Sequence, residues 1–101
     1  MKFSDAALVQ LAWLRDNGVG LRPPIEAALA LGPQPHAYRR IRKYGAGFRL
    51  AVKEWRVDFG VEGQGILVTA LASGYRPKEI AADASLAIHR AFVERFPPHG
   101  A

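Results

Sequence analysis

The sequence predicts an α+β domain: an N-terminal αα-hairpin packed on a small twisted antiparallel sheet, with a C-terminal helix. Three observations carry this. Apolar residues recur at helical spacing in the first third of the chain. After Pro35 the pattern changes to alternation, the mark of half-buried strands. From Pro77 it returns to helical spacing. A chain of 101 residues makes one domain, residues 1–101, with a modest core.

Met1 to Phe3 can form a short first strand. Ser4 is placed to cap a helix from about Asp5 to Asn17. Ala7, Leu8, Leu11, Ala12 and Leu14 form its apolar face, and Gly18 ends it. Pro23 and Pro24 suit the first turn of a second helix, whose stripe is Ile25, Ala28 and Leu29. Gly32-Pro33 stops that helix, and the short loop between the two reads as an αα-hairpin.

In the alternating region Phe48, Leu50 and Val52 share one face, with Arg49 and Ala51 on the other. Trp55, Val57, Phe59 and Val61 share a face of the next strand, opposite Arg56 and Asp58. Lys53-Glu54 must then turn the chain, although neither residue favours the positive φ of a two-residue hairpin loop. Glu62-Gly63-Gln64-Gly65 is a better turn. Ile66 to Ala72 is nearly all apolar, as expected of a central strand covered on much of both faces. Pro77 opens a last helix with Ile80, Ala84, Ile88, Phe92 and Phe96 on one stripe, and Pro97-Pro98 closes it.

Half of the residues are hydrophobic, which argues against disorder. No apolar run is long enough to span a bilayer, so no membrane partner is expected. There is no cysteine, which removes disulfides, thiolate chemistry and cysteine-based zinc sites. His36, His89 and His99 lack metal-ligand spacing, so no metal or other cofactor is expected. A cytoplasmic protein is the simplest reading.

The basic residues are concentrated. Residues 39–56 hold Arg39, Arg40, Arg42, Lys43, Arg49, Lys53 and Arg56 against one acid, Glu54. Seven cations less one anion leave this stretch at +6, above the +5 of the whole chain. A patch of this kind, carried on strands, attracts polyanions. Tyr38 and Tyr44 alternate with Arg40 and Arg42, a face suited to aromatic and cationic contact with RNA. The bland reading is an edge strand that uses charge to prevent edge-to-edge aggregation. Alternation assigns Phe48, Trp55 and Phe59 to the core, and His89 reads as an ordinary helix residue.

The string from Phe48 through Trp55-Arg56-Val57 to Phe59, followed by Ile66 to Arg76, resembles the RelE/ParE superfamily of bacterial toxins. The opening Phe3-Ser4-Asp5, the helix ending at Gly32-Pro33-Gln34-Pro35 and the strand Tyr38-Arg39-Arg40-Ile41 resemble it too. The resemblance covers about residues 1–80. It implies a toxin with a cognate antitoxin as partner. Two activities stay open. One is a metal-independent endoribonuclease acting on messenger RNA at the ribosome. The other is a non-enzymatic binding protein, either directed at DNA gyrase or binding only its antitoxin.

The resemblance puts Arg56 and Arg76 at the family's cationic positions, as catalytic candidates, with Lys53 beside them. Arg40, Arg42, Lys43, Arg49 and Tyr75 are the nucleic-acid-binding candidates. Two departures stand out. Ala51 replaces a frequent arginine, and Glu79, Ile80, Ala81 and Ala82 stand where several nuclease relatives have Tyr or His. Arg49, Arg56 and Arg76 are expected to converge on one concave surface. An acidic or amphipathic antitoxin segment would neutralise the patch and cover sheet edges. The long last stripe predicts that Phe92 and Phe96 pass the edge of the sheet, toward a second copy in a homodimer or toward an antitoxin helix. The alternative is that the whole helix folds back onto the core.

Overall fold

The computed structural model describes residues 1–30, 32, 40–63 and 65–97. The readings that rest on Pro33 to Arg39, Gln64, Pro98 and His99 lie outside these residues. The elements in order are β1 (Lys2–Phe3), α1 (Asp5–Asp16), α2 (Arg22–Leu29), β2 (Ile41–Tyr44), β3 (Gly47–Val52), β4 (Trp55–Glu62) and β5 (Gly65–Ser73). Then come α3 (Pro77–Ala82), a 3₁₀ turn (Ala84–Leu86) and α4 (Ala87–Arg95). The sheet order is β1-β5-β4-β3-β2.

Ser4 caps α1 as its position suggests, with Oγ accepting from the Ala7 N–H at 3.1 Å. The same hydroxyl donates to the Thr69 carbonyl at 3.0 Å, tying the cap to β5. Leu11 and Leu14 of α1, Ile25 and Leu29 of α2, and Phe92 of α4 meet Leu50, Val52, Trp55, Val57, Phe59 and Val68 of the sheet. This one cluster covers one face of the sheet.

The sheet is mixed, which corrects the wholly antiparallel expectation. β2 to β5 form an antiparallel meander, but β1 runs parallel to β5. Tight turns force the meander strands to alternate, whereas no turn joins β1 to a neighbour. β1 is only two residues long and pairs with Leu67 and Val68. Farther along β5, Gln10 of α1 takes its place. Its Oε1 accepts from the Leu71 N–H at 2.7 Å, and its Nε2 donates to the Leu71 carbonyl at 3.2 Å.

β5 is interior, but it is not buried on both faces. The register shifts between Asp58 and Phe59, so that Thr69 is left over. This bulge lets both Val68 and Leu71 face the helices, at 0 % and 3 % exposure, while Leu67 is only half-buried. Leu71→Ala is therefore expected to cost about 2–5 kcal/mol and Leu67→Ala clearly less, read by urea denaturation.

The turn at Lys53-Glu54 forms despite its sequence. Val52 faces Trp55, and Lys53 takes φ +53°. A left-handed lysine costs roughly 1–2 kcal/mol relative to an unstrained residue. Lys53→Gly is accordingly expected to hold or raise the melting temperature despite the flexibility it adds to the unfolded chain. A clear loss would show that the lysine side chain supports the turn.

The C-terminal segment is broken, not one helix. Asp83 leaves helical geometry at φ −121°, ψ +110°, and its Oδ1 accepts from the Ser85 N–H at 2.9 Å and hydroxyl at 2.6 Å. These bonds, the hydroxyl first, hold the Asp83 carboxyl below its ordinary range. The break redirects α4 onto the core. Phe92 is 2 % exposed and packs edge-to-face on Trp13 and Trp55, and Phe96 meets Trp13 as well. The expectation that Phe92 passes the sheet edge is overturned, and the fold-back alternative is what the chain adopts.

Candidate functional site

Among the described residues no helix covers the second face of the meander at β2 to β4. Alternation there brings up Arg42 from β2, Arg49 and Ala51 from β3, and Arg56 and Asp58 from β4. Registry lines them up across strands: Arg42 beside Arg49 beside Asp58, and Ala51 beside Arg56. With Arg40 and Ile41, all of these but Asp58 line a concavity of about 450 Å³. Ala51, the departure from the family pattern, is the small residue among these large ones.

The arginines are not equivalent. Arg49 is gripped by Asp58 in a bidentate pair, Nε to Oδ1 at 2.6 Å and Nη2 to Oδ2 at 3.0 Å. Its guanidinium also lies 3.7 Å from the centre of the Tyr44 ring. The Asp58 hydrogen bonds are the main reason its pKa rises, so it stays charged. Its Nε and Nη2 are thereby committed to Asp58, which leaves Arg49 fewer donors for a phosphate than an unpaired arginine has. The side chains of this pair are 17 % and 21 % exposed. Asp58→Asn is expected to lower stability by about 1 kcal/mol and to free the fork.

Arg40 and Arg42 have no ion pair among the described residues. Arg56 is held through its backbone surroundings, with Nη1 donating to the Trp55 carbonyl at 2.8 Å and the Lys53 carbonyl at 3.2 Å. It also fills the space over Gly74. A Cβ there would come within 2.8 Å of the guanidinium carbon and of the Glu54 carbonyl, so residue 74 must be glycine. Burial lowers the Arg56 pKa first, followed by repulsion from Arg40, Arg49 and Arg42. Four guanidinium groups thus crowd one concavity with, among the described residues, a single carboxylate to balance them, an arrangement that an anion relieves.

The other candidates lie elsewhere. Arg76 does not join Arg49 and Arg56 in the cleft. It is the N-cap residue of α3, with its N–H donating to Glu79 Oε1 at 2.8 Å. Lys53 lines a different pocket, between the α1–α2 loop and the β3–β4 turn, with Glu54 and Trp55. Lys43 is exposed on the opposite face from Arg42 by strand alternation. The Tyr75 hydroxyl donates to Glu54 Oε1 at 3.2 Å.

One buried polar cluster escaped sequence reasoning. His89 is 1 % exposed and stacks on Trp55 at 4.1 Å between centroids. Its Nδ1 lies 2.6 Å from Ser73 Oγ and its Nε2 3.3 Å from Glu54 Oε2. Ser73, Glu54 and His89 come from three separate elements, and no spacing in the sequence relates them. The Arg49–Asp58 pair was more accessible: once the chain turns at Lys53-Glu54, residues 49 and 58 are opposite by counting outward.

Neither a protein-family model nor a curated protein sequence matches this chain. A solved structure does: a chain of the RelB-RelE antitoxin-toxin complex from Methanococcus jannaschii. The match is 17 % identical, has a TM-score of 0.52, and covers 81 % of this chain and 96 % of that one. The chain has a RelE-like fold. At that identity the likeness resides in the backbone, and the RelE-like domain here carries its own set of side chains. No helix among its described residues is long and apolar enough to cross a membrane.

Proposed function

We propose that this RelE-like domain is the toxin of a toxin–antitoxin pair and that its arginine cleft grips RNA phosphates. The observation that carries the reading is the crowding of Arg40, Arg42, Arg49 and Arg56 around one concavity, balanced among the described residues by Asp58 alone. Planar guanidinium forks match phosphate oxygens, and phosphate contacts set affinity without reading sequence. Arg40, Arg42 and Arg56 are the phosphate ligands in this reading, with Arg49 and its ring partner Tyr44 as a fixed wall. The antitoxin-bound state of the similar archaeal chain supports a cognate antitoxin as partner.

The enzymatic form is a metal-independent cleavage of messenger RNA on the ribosome. The substrate's 2′-oxygen bonds to the adjacent phosphorus as the bond to the 5′-oxygen breaks. The proton lost by the hydroxyl is matched by one gained at the leaving oxygen. Of the three catalytic candidates Arg56 lines the cleft and would balance the developing phosphorane charge there, while Arg76 and Lys53 stand outside it and would serve a phosphate only at its rim. The lining of the cleft favours a second reading, binding without cleavage, whether the target is gyrase or the antitoxin alone. Among the described residues it offers arginine, isoleucine and alanine, and no imidazole or unpaired carboxylate.

Incubation of the purified protein with end-labelled messenger RNA separates the two. Cleavage predicts products ending in a 2′,3′-cyclic phosphate, lost in Arg56→Ala. Binding alone predicts a salt-sensitive complex with intact RNA. No complex at low salt, together with no growth arrest on expression, would overturn the RNA reading.

A further inference from the structure

The buried His89 cluster bears on the cleft through the β3–β4 turn. The Arg56 guanidinium hangs on two carbonyls, those of Trp55 at 2.8 Å and Lys53 at 3.2 Å. They bracket Glu54, so whatever fixes Glu54 fixes both acceptors. Strand pairing brings the turn about, and three bonds to Glu54 pin it. Its carbonyl accepts from the Gly74 N–H at 2.8 Å, and its Oε1 accepts from the Tyr75 hydroxyl at 3.2 Å. Its Oε2 faces His89 Nε2 at 3.3 Å.

The direction of these bonds can be derived. A carboxylate only accepts, so Nε2 carries the proton of the neutral ring. Nδ1 then accepts from the Ser73 hydroxyl at 2.6 Å, and Ser73 Oγ accepts from the Tyr75 N–H at 3.1 Å. Donors run one way, from Tyr75 to Ser73 to His89 to Glu54, and the Tyr75 hydroxyl closes the ring on Glu54. Stacking on Trp55 at 4.1 Å fixes the plane of the imidazole. We infer that His89 and Glu54 are positioning residues for Arg56, holding the β3–β4 turn so that its carbonyls present the guanidinium to a phosphate in the cleft. This deepens the RNA reading of the cleft and rests on it. His89 is 1 % exposed, so it acts without touching the ligand.

The test uses the ¹⁵N-labelled 101-residue chain and oligouridylate RNA. At low temperature the two bonds to Nη1 slow rotation of the Arg56 guanidinium. Its Nη signals are expected to be resolved in the wild type and to merge in Glu54→Ala and His89→Leu. Arg49, fixed by Asp58, is the internal control and keeps its signals. His89→Gln, whose amide again offers one acceptor and one donor, is expected to restore those of Arg56. The ring nitrogens of His89 are expected to show the Nε2–H tautomer. RNA titration adds a test of sign. Removing an acid from a cationic surface by itself strengthens polyanion binding. Positioning predicts the opposite for Glu54→Ala, a loss of about threefold to fivefold at 0.1 M salt, near that of one phosphate contact. If His89→Leu fails to fold, Glu54→Ala decides alone, since that side chain is 57 % exposed. Arg56 signals that stay resolved, Arg49 signals that merge with them, or an Nδ1–H tautomer overturns the inference. So does tighter RNA binding by Glu54→Ala. RNA binding by the wild type beside unmoved Arg56 signals leaves the RNA reading standing. Arg56 signals that merge as expected, with no RNA bound by the wild type, keep the positioning and remove the RNA.

Discussion

Phe92→Ala is expected to lower stability by about 3–5 kcal/mol, the range for removing a buried phenyl ring. The ring is 2 % exposed, with its centroid 5.8 Å from that of Trp13, 5.2 Å from Trp55 and 5.1 Å from Phe96. Alanine would forfeit the transfer energy, the edge-to-face contacts and the filled volume together. A domain of this size has roughly 5–15 kcal/mol in all, so the variant should stand near the edge of folding. Urea denaturation followed by near-ultraviolet circular dichroism measures the loss. It should not vary with protein concentration. A stable variant whose midpoint shifts only upon dilution would mean that the ring serves an interface between chains. Phe96→Ala should cost less, since that ring is only half-buried.

The second large effect is electrostatic. Replacing Arg40, Arg42 and Arg56 together by alanine removes the three cleft cations that Asp58 does not hold. Each lost phosphate contact lowers the logarithmic salt slope by about 0.7 for a single strand, so the triple variant should lose about 2. At 0.1 M salt that corresponds to an affinity loss of about a hundredfold. Arg40 and Arg42 are exposed, so stability should change little at those two positions. Asp58→Asn should move RNA affinity the other way, because it leaves the Arg49 fork for phosphate. Titration of labelled single-stranded RNA at several salt concentrations gives slope and affinity together. An unchanged slope in the triple variant would remove the cleft from RNA binding.

Local chemistry explains what was legible from the chain. The Ser4 cap, the glycine stop at residue 18 and the prolines that open α2 and α3 act within a few residues of themselves, so they read correctly. Alternation likewise separated the Leu50, Val57 and Phe59 face from the Arg49 and Arg56 face. The Lys53-Glu54 turn was placed correctly although its residues disfavour it. The flanking strands gain enough by pairing to hold Lys53 at positive φ. The stripe from Ile80 to Phe96 misled because one polar residue, Asp83, can end a helix by capping the next turn while leaving the apolar spacing intact.

The sequence by itself determined the α+β class, the two faces of the meander and the concentration of arginine on one of them. Those properties follow from residue periods, which a strand or helix imposes wherever it sits. Tertiary structure alone decided the direction of β1, the bulge that turns both Val68 and Leu71 inward, and the fold-back of α4. It also decided which cations are available. Asp58 pairs with Arg49, Arg76 stands at the N-terminus of α3 outside the cleft, and Arg40, Arg42 and Arg56 remain around the concavity. Charge can be counted along a chain. Whether a charge is free depends on which side chains stand within a few ångströms, and that is set by strand register and by the packing of helices distant in sequence.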